Sequence, residues 1–380
     1  MFGTHHRDLR RRAIALVGAT FLAVFLVAVP ATGTPGTSLH HRTIAPGVAL
    51  TTYIDGRTAT HAYVLWIDPS QGASLGMALA NGRLGDVQRT SVLAKNAGAI
   101  AAVNGDFGSN LGRPTHPFVM GGALIQSSPS LEAMFSISSD GTMQIGKPTE
   151  SLSVTDPSSG EAWPIAGWNH GSPAPGELAA YTAVGGTVEA PKPFTCSARL
   201  LPAGASTPTS DGTSSPYTVD QAGCFSDRLG PGDGVVLSAV PSTDEATFIR
   251  TLSPGENLHV DWSLGWPGIS DGIGGFPLLV ENGQIALGPC SGSFCGRNPR
   301  TGIGLTADGR IVLVVVDGRR SGAAGMSLLE FARFMLDLGV VSAMNLDGGG
   351  SSTMVIKGQV VNQPSDGFER SVTNGVVVLR

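Results

Sequence analysis

Short apolar and β-branched runs, separated by turns rich in Gly, Asn and Asp, restrict the possible folds of this 380-residue chain more than any other feature. Runs of about four to eight such residues are typical of β-strands. Tight-turn residues border several of them, at Asp140, Asn282, Asp308 and Lys357. The pattern predicts an α+β fold that is rich in β-strands, with mixed sheets and few helices. The runs are VALTTYI, HAYVLWI, MFSI, VVLSAV, ATFIRTL, IVLVVVDG and VVVL.

Helix signals are few, and the strongest lies near residues 327–338. Ser327 is a favourable N-cap, Glu330 three residues later completes a capping box, and Gly339 ends the apolar pattern. A shorter helix is predicted in RTSVLAKNAG. One face of the main helix is apolar, so we expect it to pack on a sheet. The residues of that face are Leu328, Phe331, Phe334, Met335 and Leu338.

The N-terminus reads HHRDLRRR, followed by a run of about 17 apolar residues and then by PATG. A basic head, an apolar centre and small residues are typical of a secretory signal peptide, which we assign to residues 1–31. A permanent N-terminal membrane anchor is the alternative, because the run is near the short limit for a span. We therefore expect a secreted or extracytoplasmic protein.

The charge balance argues against a nucleic-acid partner. Removing residues 1–31 takes away four Arg and one Asp, which leaves 20 basic and 28 acidic side chains and a net charge near −8. Such a surface does not attract nucleic acid electrostatically, because affinity for the phosphate backbone depends on clustered Lys and Arg.

The four cysteines are Cys196, Cys224, Cys290 and Cys295. An even count in an exported protein argues for disulfide bonds, although four cysteines permit three pairings. We predict that neighbours pair, Cys196 with Cys224 and Cys290 with Cys295. A zinc site is the alternative, but no CxxC motif or nearby His pair completes one.

Two distant stretches of the chain resemble each other. GAIAAVNGDFG and GVVSAMNLDGG align without a gap, and each contains a glycine, an apolar strand and the pattern Asn-x-Asp-x-Gly. Asp106 in the first stretch matches Asp347 in the second. Coincidence is the alternative, since a helix, a glycine and a strand often follow one another. If the similarity is real, each stretch places a carboxylate at the carboxyl end of a strand, where ligand sites tend to lie.

The second stretch continues as NLDGGGSSTM, with one carboxylate before three glycines and three hydroxyls. Three consecutive glycines are entropically unfavourable, so they indicate unusual dihedral angles or a close approach of another group. A nucleotide phosphate loop is excluded because the lysine of GxxxxGK[ST] is missing. The sequence also lacks GxSxG, HExxH and HxE…CxxC patterns. Serine-nucleophile, zinc-protease and zinc-deaminase chemistry are therefore disfavoured.

Polar residues gather at predicted strand ends and in glycine loops, where a rigid sheet commonly carries a functional site. Several of them also have a purely structural interpretation. Asp317 can form a turn, Arg300 and Arg370 can be ion-pair partners, and His116 can be an ordinary loop histidine. The candidate site residues are Asn104, Asp106, His116, Asp271, Arg300, Asp317, Arg319, Asn345, Asp347, Gly348, Gly349, Gly350, Ser351 and Arg370.

Carboxylates, arginines and backbone amides suit the cleavage of a glycosyl phosphate ester. In sugar hydrolysis, one carboxylate activates water or attacks the anomeric carbon. A phosphate monoester is already a good leaving group, so bidentate arginines and N–H donors can stabilise its departure.

The same motifs resemble the phosphodiester glycosidase family, from about Ala99 to Leu379. The resemblance implies a domain at residues 99–380 with an insertion near 150–250, preceded by a β-rich segment at 32–98. Family members often carry a second aromatic residue where this chain has Gly108, which leaves the acceptor open. The segments that carry the resemblance are AAVNGDFG, IGGFPLLVENG, NPRTGIGLTADGRIVLVVVDGR, GMSLLEFARFMLDLGVVSAMNLDGGGSSTMVIKGQVVNQPSD and ERSVTNGVVVL.

The resemblance implies a glycoside hydrolase that acts on α-linked sugar 1-phosphodiesters, of the GlcNAc-1-phosphate type, in cell-envelope or extracellular glycans. Asp106, Asp347 and Asp317 are then the catalytic candidates, and the remaining candidates bind the substrate. No cofactor is expected. Two alternatives stay open: a glycan-binding envelope module without turnover, and a phosphodiesterase that uses the same aspartates as ligands for Mg²⁺ or Ca²⁺.

Overall fold

Strands dominate a computed structural model that describes residues 37–109, 111–203 and 215–380. The predicted signal peptide lies outside these residues. Three α-helices occur in the described part of the chain, α1 (Thr90–Asn96), α2 (Asp244–Thr251) and α3 (Leu328–Asp337). The predicted β-rich α+β fold is therefore confirmed, together with its main helix.

The strands fall into three groups along the chain. The first ten are β1 (Thr37–Ala45), β2 (Val48–Asp55), β3 (Thr60–Ile67), β4 (Ser74–Leu79), β5 (Gln88–Arg89), β6 (Ala101–Asn104), β7 (Phe118–Met120), β8 (Ala123–Gln126), β9 (Ala133–Ser138) and β10 (Met143–Gly146). The next seven are β11 (Ser151–Thr155), β12 (Ala162–Trp168), β13 (Leu178–Thr182), β14 (Thr195–Pro202), β15 (Ser215–Phe225), β16 (Val235–Ala239) and β17 (Asn257–Ser263). The last ten are β18 (Ile269–Gly275), β19 (Leu278–Glu281), β20 (Gln284–Ile285), β21 (Arg300–Thr306), β22 (Ile311–Val316), β23 (Val340–Asn345), β24 (Met354–Ile356), β25 (Gln359–Val360), β26 (Ser371–Val372) and β27 (Asn374–Leu379).

Strands from the two ends of the described chain share sheets. An eight-stranded sheet has the order β1-β2-β3-β22-β21-β23-β19-β20, and a five-stranded sheet has the order β25-β24-β6-β27-β4. A second five-stranded sheet has the order β10-β9-β18-β7-β8. Strands β26 and β5 form a separate pair. Strands β11 to β17, which span Ser151–Ser263, close into a barrel. The domain boundaries proposed from the sequence remain a prediction.

The main helix α3 packs on the eight-stranded sheet through its apolar face. Its N-terminus has the predicted capping box between Ser327 and Glu330. Glycines in β21 let the helix approach closely, because a Cβ on Gly302 would lie 2.9 Å from the Phe331 ring. Buried side chains of α3 join those of β22 in one apolar cluster that includes Leu328, Phe331, Met335, Val312, Val314 and Val316.

The run ATFIRTL was expected to be a strand and instead forms most of α2. The Thr243 hydroxyl accepts a hydrogen bond from the Ala246 amide at 3.2 Å, which caps the helix. Asp244 and Glu245 occupy the first turn, where negative charge is favourable. The strand prediction was wrong because it ignored this acidic, capped entry.

Both predicted disulfide pairs are present. Cys196 in β14 bonds Cys224 in β15, and Cys290 bonds Cys295 in the loop before β21. Within the described part of the chain, no helix has the length and hydrophobicity needed to span a bilayer.

Candidate active site

The two similar stretches converge, although β6 and β23 belong to different sheets. The Asp347 amide donates a hydrogen bond to the Gly105 carbonyl at 3.0 Å. The side-chain amide of Asn104 donates to the Asp347 carbonyl at 2.7 Å. The loops that follow the two strands therefore lie side by side, and they bring Asp106 and Asp347 into one cluster.

The Asp106 carboxylate is buried and surrounded by donors. Its Oδ1 accepts from the Phe107 amide at 2.7 Å, and its Oδ2 accepts from the Thr115 and His116 amides at 2.9 and 2.7 Å. The His116 Nδ1 lies 2.7 Å from Oδ1. A carboxylate with four such neighbours has little capacity left for a ligand, so its geometry suits the orientation of the His116 ring.

His116 is held tightly in this arrangement. The side chain is buried, its ring meets Phe107 edge-on with centroids 6.1 Å apart, and a Cβ on Gly274 would lie 2.2 Å from the His116 Cβ. Among the described residues, no hydrogen bond reaches its Nε2. A neutral imidazole that donates through Nδ1 has an acceptor at Nε2, so this atom is able to exchange a proton with a bound group.

Asp347 has a different environment from Asp106. Its side chain is partly exposed, and its Oδ1 accepts from the Gly348 amide at 2.9 Å. Burial raises the pKa of the Asp347 carboxyl, and the Asp106 charge raises it further, while Ser351, Gly348 and Arg370 oppose the change. A partly exposed carboxyl with a raised pKa suits general acid or base chemistry.

The glycines after Asp347 make space for protein groups. Gly349 starts a short 3₁₀ turn, Gly349–Ser351, and has φ +60°, a left-handed conformation that favours glycine. A Cβ on Gly348 would lie 2.6 Å from the Pro299 carbonyl oxygen. The amides of Gly348, Gly349 and Ser351 already donate to protein oxygens, so they are not free donors for phosphate.

Two guanidinium groups cover the glycine turn. A Cβ on Gly349 would lie 3.0 Å from Nη1 of Arg319, and one on Gly350 would lie 2.1 Å from Nη2 of Arg370. Arg370 pairs with Asp366 at 2.6 Å. Within the described residues Arg319 has no carboxylate partner and bonds only the side-chain oxygen of Asn298, at 2.9 and 3.1 Å. Asp366 lies at the same turn, 2.2 Å from a Cβ on Gly350, so the Arg370 charge is paired and Arg319 supplies the unpaired positive charge at the turn among the described residues.

Arg300 is nearby but is largely committed to the protein. It is buried, and its guanidinium donates to the carbonyls of Met326, Phe294 and Gly296 at 2.9, 2.7 and 2.6 Å. Burial, and then the Arg319 charge, lower the pKa of Arg300 to about 10. Arg300 thus fixes the loop that contains the Cys290–Cys295 disulfide.

Three phenylalanines that were not among the candidate site residues lie beside the cluster. Phe294 lies 6.0 Å from Phe107 and stacks on Phe276 with ring centroids 5.6 Å apart. Phe276 remains 37% exposed, so the row ends in an open aromatic face. The signal that was missed is the position of Phe294 among the four residues enclosed by the Cys290–Cys295 disulfide, which holds an otherwise free residue in place.

The remaining candidates occupy supporting positions. Asn345 donates to the Phe276 carbonyl at 2.6 Å, and its Oδ1 is buried with no partner among the described residues. Asp317 is buried and accepts from Arg320 at 2.8 Å and from the Gln363 amide at 2.9 Å. Asp271, in β18, accepts from the Gly121 amide at 3.4 Å, and among the described residues no hydrogen bond joins its side chain to the cluster.

In residues 37–109, 111–203 and 215–380, no group of three or more His, Cys, Asp or Glu side chains is arranged to hold a metal ion.

The chain is similar to several known proteins. It is 37% identical over 82 residues to an uncharacterised SPbeta prophage-derived protein of Bacillus subtilis. The aligned residues make up 22% of this chain and 13% of that protein. It is 34% identical over 108 residues to N-acetylglucosamine-1-phosphodiester alpha-N-acetylglucosaminidase of Bos taurus. The aligned residues make up 25% of this chain and 20% of that enzyme. These matches span about a fifth or less of the relatives' lengths.

The fold has a counterpart among solved structures. A hypothetical protein from Synechocystis matches 90% of this chain and 68% of its own, with a TM-score of 0.69 and 21% identity. At that identity the likeness concerns the fold alone. Residues 212–379 match the model of the phosphodiester glycosidase family, which confirms the resemblance expected from the motifs over the C-terminal part of this chain.

Proposed function

We propose that this protein is an extracytoplasmic phosphodiester glycosidase that hydrolyses α-linked sugar 1-phosphodiesters of the GlcNAc-1-phosphate type in envelope or extracellular glycans. The observation that carries the proposal is the position of Arg319 and Arg370 on the glycine turn directly after Asp347. A carboxyl beside two guanidinium groups suits a substrate whose reacting carbon is bonded to a phosphate.

The roles follow from the environment of each group. Arg319 and Arg370 bind the phosphate oxygens. Asp347 stands where it can take a proton from water, which then attacks the anomeric carbon, or can attack that carbon itself. His116, oriented by Asp106, supplies the second titratable group. The row of Phe107, Phe294 and Phe276 offers an apolar surface for one face of the sugar ring.

The bond changes balance without a cofactor. Water adds its oxygen to the sugar C1, the C1–O bond to phosphate breaks, and the phosphate departs as a monoester on the acceptor. A phosphate monoester is stable as an anion, so its departure depends on the guanidinium charges more than on a strong acid.

Export is also proposed. The signal-peptide pattern at residues 1–31 supports it, and so do the two disulfides, since such bonds persist mainly outside the reducing cytosol. A wall or envelope polymer that contains sugar 1-phosphate bridges is the substrate class that fits this location.

The test is hydrolysis of methyl α-GlcNAc 1-phosphodiester in ¹⁸O-labelled water. We expect free GlcNAc, and methyl phosphate without label, because the C1–O bond breaks. Label in the phosphate, or release of sugar phosphate that chelator abolishes, would instead establish the metal-dependent phosphodiesterase. Absence of any release from a panel of sugar phosphodiesters, with retained binding, would establish the glycan-binding module.

A further inference from the structure

A cavity of about 600 Å³ lies beside the candidate site and has no role in the chemistry above. It lies between the end of the loop after β22 and the segment that joins β25 to β26. Its lining includes Arg320, Gln363, Pro364, Phe368 and Glu369.

This cavity adjoins both guanidinium groups of the glycine turn along the chain. Arg320 follows Arg319 directly, and Glu369 precedes Arg370 directly. Arg319 has φ +59°, a left-handed conformation. The side chains of Arg319 and Arg320 therefore need not point to opposite sides, as neighbours in a strand do. Asp366, which pairs with Arg370 at 2.6 Å, lies between the lining residues Ser365 and Gly367. A substrate whose phosphate lies on Arg370 therefore has its leaving group next to this wall of the cavity.

Buried Asp317 gives the cavity a fixed shape. Its Oδ2 accepts from Arg320 at 2.8 Å, and its Oδ1 accepts from the Gln363 amide at 2.9 Å and from the Asn362 side chain at 3.1 Å. One carboxylate thus connects the two chain segments that line the cavity. The catalytic candidate Asp317 is better explained as the residue that positions these walls.

The chemistry of the lining points to a neutral, hydroxylated ring. The Arg320 charge is paired with Asp317, and Glu369 accepts from the amide and the hydroxyl of Ser91 at 2.5 and 2.6 Å. The Arg320 charge is thus neutralised, whereas the Glu369 carboxylate has no cationic partner among the described residues and can accept hydrogen bonds from the hydroxyls of a ligand. Phe368 is 65% exposed, so the face of its ring is accessible to a ligand in the cavity.

A sugar residue matches this lining, because a pyranose has an apolar C–H face and an edge of hydroxyls. The C–H face suits the Phe368 ring, and the hydroxyls suit the side chains of Gln363 and Glu369.

We propose that this cavity is the acceptor subsite, and that it binds the sugar residue on the leaving-group side of the phosphate. The inference rests on the proposed function. It assigns the sugar that is released to the side of His116 and the phenylalanine row, and the sugar that keeps the phosphate to the side of Phe368.

Two substrates and one pair of variants test the assignment. The substrates are methyl α-GlcNAc 1-phosphodiester, which has no acceptor sugar, and α-GlcNAc 1-phosphate esterified to a mannoside. Phe368→Ala should lower kcat/KM for the mannoside about tenfold, mainly through KM, and leave the methyl substrate within about twofold of wild type. Phe194→Ala removes another exposed phenylalanine, 73% exposed and just before β14, and should change neither.

The possible outcomes separate the two proposals. If wild type hydrolyses both substrates and Phe368→Ala has the same kcat/KM as wild type on each of them, the acceptor subsite is overturned and the glycosidase proposal stays intact. Parallel losses on both substrates would also overturn it, because they would show a general effect on the site. If wild type releases sugar from neither substrate, the glycosidase proposal fails and the subsite fails with it.

Discussion

Residues 104–108 and 345–349 have the same pattern, Asn-x-Asp-x-Gly, and opposite local environments. Asp106 accepts three amide hydrogen bonds and contacts His116, whereas Asp347 accepts from Gly348 and remains partly exposed. The difference shows that the role of a carboxylate depends on how many donors the fold places around it. One carboxylate supports the site, and the other is available to a substrate.

The asparagines differ in the same way. Asn104 uses its oxygen for the Thr301 hydroxyl and the Thr353 amide and its nitrogen for the Asp347 carbonyl. Within the described chain, Asn345 uses only its nitrogen, and its oxygen is buried without a partner. The first stretch is a hydrogen-bonded support, and the second keeps polar capacity unused.

Removal of the Asp347 charge is the strongest test of this contrast. Asp347→Asn is nearly isosteric and should lower turnover by at least about a hundredfold, since a general acid or base is lost. The melting temperature should stay near that of wild type, because few hydrogen bonds depend on the charge. Steady-state kinetics and thermal unfolding measure the two effects, and a variant that retains most activity would refute the role.

The matching change in the first stretch should act mainly on stability. Asp106→Asn replaces one acceptor oxygen by a donor that faces buried amides. We expect the free energy of unfolding to fall by about 2 to 3 kcal/mol, since donors to a charged group lose their partner. Urea unfolding measures it. If Asp106→Asn and Asp347→Asn lose equal stability, the contrast between the two carboxylates is wrong.

Arg319 should contribute to substrate binding and little to stability, because it has no carboxylate partner in the described chain. Arg319→Ala should lower kcat/KM about tenfold or more, the scale of a charge-assisted hydrogen bond to phosphate. Arg57→Ala, an exposed arginine beside Asp55, is the control and should leave kcat/KM unchanged. An effect confined to the unfolding midpoint would show that Arg319 is only structural.

Gly349→Ala tests whether the turn needs glycine. Its φ of +60° should be unfavourable to alanine by about 1 kcal/mol, and the Arg319 guanidinium leaves a Cβ only 3.0 Å of space. Gly141→Ala has a positive φ, +85°, and open space, so it reports the strain alone. A larger loss for Gly349→Ala, together with a higher KM, is the expected result; equal losses would exclude the contact with Arg319.

The smallest effect concerns pH. Folding raises the pKa of Asp347, so the protonated carboxyl stabilises the folded state. This stabilisation is fully present below the pKa of the unfolded state and is lost as pH rises through the pKa of the folded state. Asp347→Asn cannot lose that contribution. Its melting temperature should therefore rise relative to wild type between acidic pH and pH 7, by about 2 °C. A difference that is constant with pH would contradict the raised pKa.

Local signals in the sequence determined the strands, the capped helix α3, the pairing of neighbouring cysteines and the glycine-rich turn. They are reliable because caps, tight turns and apolar periodicity act over a few residues. The prediction failed for α2, where a local cap at Thr243 outweighed the apolar run after it.

The convergence of the two carboxylates depended on sheet pairing across more than two hundred residues, since β6 pairs with β24 and with β27. Tertiary structure alone decided that Asp106 is surrounded by amides, that the glycines make room for Arg319 and Arg370, and that Phe294 joins the site. Each of these properties depends on which atoms from distant segments become neighbours, and burial and donor count are not encoded in any single motif.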